Sequence, residues 1–219
     1  MIIPDRNEIC RYLGLKNRKP DSETEAMIAY CTDELNRCVS PVSLHRSFPL
    51  SFEDGYPVIE GTVIRSEHLK KNLKGCGNVI LMLVSLGAEA DRLIRRSEMK
   101  SSFEGTVMSA CASAMAEAYC DSVNEEIRGM YLAKNLYTRP RFSPGYGDFD
   151  LAYQKLFFDL LNITVRTGII LNDSLMMVPV KSITALIGLS FHNTPCILQG
   201  CEVCESSDTC PYSRAGGII

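Results

Sequence analysis

Residues 169–191 read IILNDSLMMVPVKSITALIGLSF. Three extended runs are legible in this stretch: Ile169–Leu171, Ser174–Val178 and Ile183–Phe191. In the last of them Ile183, Ala185, Ile187 and Leu189 alternate onto one face, the period of a strand. The runs follow one another without regular β-α alternation, which favours an α+β domain over a doubly wound sheet.

Working back along the chain, Leu151–Thr164 has an amphipathic helical pattern with Tyr153, Leu156, Phe157, Leu160 and Leu161 on one side. Thr106–Tyr131 is the longest helical segment, and its first half is rich in Ser, Ala and Cys. Small side chains there permit a close approach to a sheet or a second helix. Ala88–Arg96 is helical, Gly87 closes the buried strand Val79–Leu86, and Ser66 caps a short helix running through Leu73. Val42–Ile64 is short-ranged and turn-rich, with Leu44, Phe48, Leu50 and Phe52 alternating and a turn at Asp54-Gly55. It predicts two or three antiparallel strands. A helix begins near Asp21, with Ser22 and Glu25 spaced as a capping box, and Pro41 ends it. The expected fold is a mixed, antiparallel twisted sheet with packed helices over residues 1–191. Residues 192–219 form a cysteine-rich appendage.

The chain has 219 residues and a formal net charge of −3, with no basic block, which argues against phosphate-dominated nucleic-acid binding. Its amino terminus lacks the apolar run of a signal peptide, and Val79–Leu86 is far too short to cross a bilayer. These features predict a soluble cytoplasmic protein with no membrane partner. Ten cysteines without a secretory signal imply reduced thiols. Six are scattered, as Cys10, Cys31, Cys38, Cys76, Cys111 and Cys120, several of them at helical spacing beside apolar residues, and read as small buried hydrophobes.

Residues 139–150, RPRFSPGYGDFD, cannot form the interior of a helix or a central strand. Ser143-Pro144-Gly145-Tyr146 has the composition of a type II turn. Its prolines extend Arg139 and Ser143, and Gly145 accepts a positive φ. Such a turn directs main-chain N–H and C=O groups outward, where they can read a heterocycle, and Arg141 can hold a carboxylate through two hydrogen bonds. The alternative is a surface turn feeding the next helix, with Asp148 or Asp150 as its cap. No catalytic triad or paired carboxylates are evident.

Together with the segment that follows it, this loop resembles the activation domain of vitamin-B12-dependent methionine synthase. The family's Arg-x-x-Pro-Gly-Tyr is matched by Arg141, Pro144, Gly145 and Tyr146. Thr167-Gly168, Leu171-x-Asp173-Ser174 and Met177-x-Pro179-x-x-Ser182 follow in the family's order, and Ala116-Glu117-Ala118-Tyr119 precedes them. The strongest resemblance spans 107–191. It implies a domain that binds S-adenosylmethionine and presents its methyl group to a cobalamin held by a partner. Such a domain supports reductive methylation of cob(II)alamin, with flavodoxin or ferredoxin as electron donor. The protein would bind and orient while the sulfonium and the corrinoid carry the chemistry. By position, Arg141 would hold the ligand's carboxylate, the backbone of Ser143, Gly145 and Tyr146 its adenine end, and Glu117 its positive end. Glu117 also reads as a helix-surface carboxylate, and Tyr146 as a packing residue. The chain departs from the pattern at Phe149-Asp150-Leu151-Ala152, where the family has a Cys-Pro-Asp-His run, and at Ile187-Gly188, where it has an aromatic pair.

Cys196, Cys201, Cys204 and Cys210 lie within fifteen residues, just after His192. Four soft ligands so close suit a [4Fe–4S] cluster or a tetrahedral zinc, with free thiols and a disulfide as the other readings. The expected role is a free-standing activation subunit acting in trans on the cobalamin-binding domain of a methionine synthase. The alternatives are an Fe–S reductive activator of another corrinoid methyltransferase and a zinc-clipped, non-enzymatic interaction module.

Overall fold

The computed structural model describes residues 1–15 and 18–193. In chain order the elements are α1 (Arg6–Tyr12), α2 (Ser22–Cys38), β1 (Val42–Pro49), β2 (Ser51–Glu53), β3 (Tyr56–Ile59), β4 (Thr62–Val63), α3 (Glu67–Asn72) and β5 (Asn78–Ser85). They continue as α4 (Ala88–Lys100), α5 (Ser102–Leu132), β6 (Tyr137–Thr138), a 3-10 turn (Leu151–Tyr153), α6 (Gln154–Leu161), α7 (Ile163–Thr167), β7 (Ile170–Leu171), β8 (Met177–Val178) and β9 (Ser182–Ser190). The α+β class read from the sequence is the class observed. Among the described residues there are a four-stranded sheet in the order β1-β5-β9-β6, a three-stranded β2-β3-β4 meander and a β7-β8 hairpin.

The chain divides into two compact units. The first comprises Met1–Ser43, Val84–Val123 and Ile169–Ile183; the second comprises Leu44–Leu83, Asn124–Gly168 and, among the described residues, 184–193.

In the first unit, Ile28, Cys31 and Leu35 of α2, Leu93 of α4 and Val107, Cys111, Ala114 and Met115 of α5 share one buried cluster. The run of small residues on α5 lets its backbone lie close to these neighbours. Each fully buried Leu or Ile contributes about 1.5–3 kcal/mol. The α2 cap differs from the expected one: Asp21, not Ser22, accepts the Thr24 N–H, so the helix starts one residue earlier than the capping-box reading. Lys181 donates to the hydroxyl of Ser113 at 2.8 Å. Burial pushes its ammonium pKa below the usual value, against the opposing pull of Asp91.

Of the scattered cysteines, Cys10, Cys31, Cys76, Cys111 and Cys120 are buried and Cys38 is half-buried, all as free thiols. Burial, reinforced by Cys111, pushes the Cys31 thiol up to about 12, and burial pushes Cys111 to about 11. At pH 8 only about one such group in a thousand, or fewer, is a thiolate. A maleimide applied to the native chain at that pH is therefore expected to spare Cys31 and Cys111 and to label both in denaturant. Peptide mapping that finds either labelled within minutes in the native chain would refute the burial argument.

In the second unit, β5 and β9 are central strands, buried on both faces over most of their length. The alternation of Ile183, Ala185, Ile187 and Leu189 therefore selects one of two covered faces rather than a covered and a wet one. The other face of β9 carries Thr184, whose hydroxyl donates to the buried Gln154 side chain of α6 at 2.7 Å. Ser66 caps α3 as expected, accepting the Leu69 N–H at 2.9 Å. The helix expected over Leu151–Thr164 is interrupted. Asn162 adopts φ +52, which ends α6 and redirects the chain into α7.

Candidate functional site

The loop that follows β6 first runs antiparallel along β9. Tyr137 and Thr138 face Ser190 and Leu189, Arg139 N–H donates to Gly188 O at 2.8 Å, and Phe142 exchanges both main-chain bonds with Leu186. The chain then leaves the sheet in two consecutive turns. Tyr146 N–H donates to Ser143 O at 3.2 Å and Phe149 N–H to Tyr146 O at 3.1 Å. Gly145 stands at φ +86 and Gly147 at φ +55, a region that L side chains rarely adopt. The type II turn expected at Ser143–Tyr146 is present.

One part of the expectation is corrected. The N–H groups of Gly145 and Tyr146 do not point outward unpaired: the first donates to Phe149 O at 2.6 Å, the second closes the turn. What the turn retains without a partner among the described residues is the Ser143 N–H and the carbonyls of Pro144 and Gly145.

Side chains set the loop from beneath. Phe142 and Phe149 are buried, and Tyr146 stands edge-on to Phe142 with ring centroids 5.5 Å apart. Phe149 lies 5.4 Å from the Tyr153 ring. The Tyr153 hydroxyl in turn accepts from Arg65 N–H at 3.0 Å and donates to Val63 O at 3.3 Å. Helix α3 holds the loop at both ends. Near the helix's carboxyl end, the Asn72 amide donates to Pro140 O at 3.2 Å and the Arg139 guanidinium to Lys74 O at 3.1 Å. At its amino end, the Asp148 carboxylate accepts from the Ser66 hydroxyl and the Glu67 N–H, both at 2.6 Å, and from the His68 N–H at 3.3 Å. Burial alone would raise the Asp148 pKa, but these donors and the His68 imidazole 3.5 Å away bring it below the usual carboxylate value.

Asp148 thus caps α3, far back in the sequence, and Asp150 caps the 3-10 turn by accepting the Ala152 N–H at 2.7 Å. Neither role needs the other. Arg141, Ser143 and Tyr146 are half-buried and Gly145 is exposed. These four sequence-predicted residues lie together on one loop of the second unit.

Glu117 belongs to the first unit, half-buried on α5. Burial first, and the Glu117 charge second, raise the Tyr12 phenol above its ordinary pKa. Arg11 lies over the Tyr12 ring at 4.4 Å and binds Glu8, Nε to Oε2 2.9 Å. Glu117 thus acts on a polar group at the end of α1 that the sequence reading did not connect with it. No local signal links residues 8–12 to residue 117.

Cys196, Cys201, Cys204 and Cys210 lie outside the described residues. Among the described residues no group of three or more His, Cys, Asp or Glu is arranged to hold a metal ion, and no helix is long and apolar enough to cross a membrane.

Residues 66–194 match the family model described as the activation domain of vitamin B12 dependent methionine synthase. The chain belongs to this family. The match begins at Ser66 and takes in α3, both central strands of the sheet and the whole loop. A solved structure of the MetH reactivation domain bound to AdoHcy is similar, with a TM-score of 0.69 at 17% identity over 91% of this chain and 78% of that one. At that identity the likeness establishes a shared fold. No curated protein matches. The positions at which the resemblance led to the expectation of an aromatic pair hold Ile187, fully buried, and Gly188. A Cβ at 188 would sit 2.7 Å from Leu73 Cδ2 and 2.8 Å from Cys76 Sγ, so the space an aromatic ring would need is already filled.

Proposed function

We propose that this activation domain binds S-adenosylmethionine on the loop 141–146 and serves reductive methylation of a cobalamin carried by a partner methionine synthase, acting in trans. The observation that carries the reading is a family-motif loop pinned on one side to β9 and on the other to α3. A loop fixed before binding loses little conformational entropy on taking up a ligand. Arg141 supplies a planar guanidinium suited to the ligand's carboxylate. Ser143 N–H and the carbonyls of Pro144 and Gly145 supply one donor and two acceptors, a set that a purine edge with its ring nitrogens and exocyclic amine can match. Glu117, in the first unit, is the residue for which the family resemblance carries a contact to the ligand's positive end, and its substitution is a separate test.

In methyl transfer the methyl carbon leaves the sulfonium sulfur, and the sulfur keeps the bonding electrons as a neutral thioether. The nucleophile would be the partner's corrinoid, after an external one-electron donor had reduced it, and the methyl carbon would pass to it. The domain's own residues bind and orient: Arg141 by charge, the turn by its main chain, the buried Phe142 and Phe149 by fixing the turn. No general acid or base is required.

Calorimetric titration with S-adenosylmethionine tests the reading. Arg141→Ala is expected to weaken binding by about 10- to 100-fold, the range of a lost charge-assisted bidentate contact. Equal affinity in both proteins would remove Arg141 from the site, and no uptake by the unaltered chain would overturn the ligand assignment. The in-trans role is tested separately, by adding the chain to an inactivated methionine synthase that lacks this domain, with S-adenosylmethionine and a reductant. Recovery of turnover is the expected result, and none would refute it.

A further inference from the structure

We propose that Asp148 is a positioning residue for this loop, its carboxylate latching the turn 146–149 onto the amino end of α3 so that Gly145 and Tyr146 keep the shape that binds the ligand. The inference rests on the reading of 141–146 as the S-adenosylmethionine loop. Asp148 lies two residues beyond the Arg-x-x-Pro-Gly-Tyr motif and touches no part of it by side chain in the described contacts; its action is through the backbone.

Three observations converge on it. The carboxylate gathers three donors from one helix start, the Ser66 hydroxyl and the N–H groups of Glu67 and His68. Ser66 is buried, and its hydroxyl oxygen is already committed to the Leu69 N–H, so the latch is continuous with the helix cap itself. Second, residue 148 sits inside the hydrogen-bonded ring formed by Gly145 N–H to Phe149 O and Phe149 N–H to Tyr146 O. Any displacement of Asp148 therefore moves Gly145 directly. Third, the turn is pressed against His68: a Cβ on Gly147 would lie 2.6 Å from its Nδ1. With the Asn72 and Arg139 contacts at the far end of α3, the latch completes a two-point attachment.

An amide at 148 keeps one acceptor oxygen but turns an NH2 group toward donors, and it loses the charge. In the whole chain, Asp148→Asn is expected to bind S-adenosylmethionine about tenfold more weakly and to speed amide exchange at Gly145 and Tyr146 by a similar factor, the scale of one charge-assisted hydrogen bond. Loop amides exchange by local opening, so global stability is read separately. Ile59→Val, at a buried site of the same unit, is expected to lower the unfolding temperature and leave both quantities unchanged. Gly147→Ala should mimic Asp148→Asn through its clash with His68, and adding His68→Ala should recover part of the affinity. This pair carries the test if Asp148→Asn fails to fold.

Unchanged exchange in Asp148→Asn would overturn the latch whatever the ligand does. Faster exchange with unchanged affinity would overturn the positioning role. No uptake of S-adenosylmethionine by the unaltered chain would overturn the ligand reading and the positioning role with it, while the exchange data would still judge the latch.

Discussion

Gly188→Phe is expected to prevent stable folding, and Gly188→Ala to be measurably destabilising. Gly188 occupies the buried strand β9, and the position of a Cβ there is bounded by Leu73 Cδ2 at 2.7 Å, Cys76 Sγ at 2.8 Å and Arg139 Cγ at 3.1 Å. Leu73 and Cys76 are themselves buried, so neither can swing into solvent to make room. Arg139 is anchored through Lys74 O. A single added methyl in such a site costs about 1–3 kcal/mol. A phenyl ring exceeds that severalfold, against a total stability on the order of 5–15 kcal/mol. Denaturant midpoints measure the alanine variant, and soluble yield with near-ultraviolet dichroism measures the phenylalanine variant. A wild-type midpoint for Gly188→Phe would show that α3 and the turn after it can move aside. It would also reopen β9 to the family's aromatic pair. At 188 this chain packs the junction of α3 and β5, through Leu73 and Cys76, directly against the β9 backbone.

What the sequence disclosed and what it withheld divide by range. The cap at Ser66, the buried strand β5 and the long helix α5 were legible because their causes are local: a hydroxyl three residues before a helical N–H, an unbroken apolar run, a helical period. The turn at Ser143–Tyr146 was legible for the same reason. Asp148 was not, because the donors it serves lie on Ser66, Glu67 and His68, some 80 positions away. Read locally, an aspartate before a helix is a cap for that helix, and Asp150 already fills the role. The break at Asn162 was hidden by apolar residues that keep helical spacing on both sides of it, whereas the left-handed φ of a single asparagine decides the path. Outward main-chain donors were expected at Gly145 because a turn shows its four residues and not the carbonyl of Phe149 that returns to meet them.

Phe149→Cys places the family's residue type at the base of the loop, and it is expected to be among the most damaging single changes in the second unit. Phe149 is fully buried, with ring partners Phe142 at 6.2 Å and Tyr153 at 5.4 Å. Removing most of its ring leaves a cavity and costs about 3–5 kcal/mol by analogy with other large-to-small core changes. In a chain of this size that corresponds to a fall in unfolding temperature of roughly 6–20 °C. Function should suffer beyond stability, because the main chain of Phe149 holds both Gly145 and Tyr146 while its side chain holds the main chain. Affinity for S-adenosylmethionine should therefore drop even at temperatures where the variant is fully folded, with Phe149→Leu intermediate on both scales. If Phe149→Cys kept the wild-type unfolding temperature, the ring would be filler in a site able to collapse around it. If it lost stability but kept affinity, the loop's shape would be set by β9 and α3 alone. In this chain the aromatic floor of Phe142, Phe149 and Tyr153 and the Asp148 contacts to α3 together brace the turn.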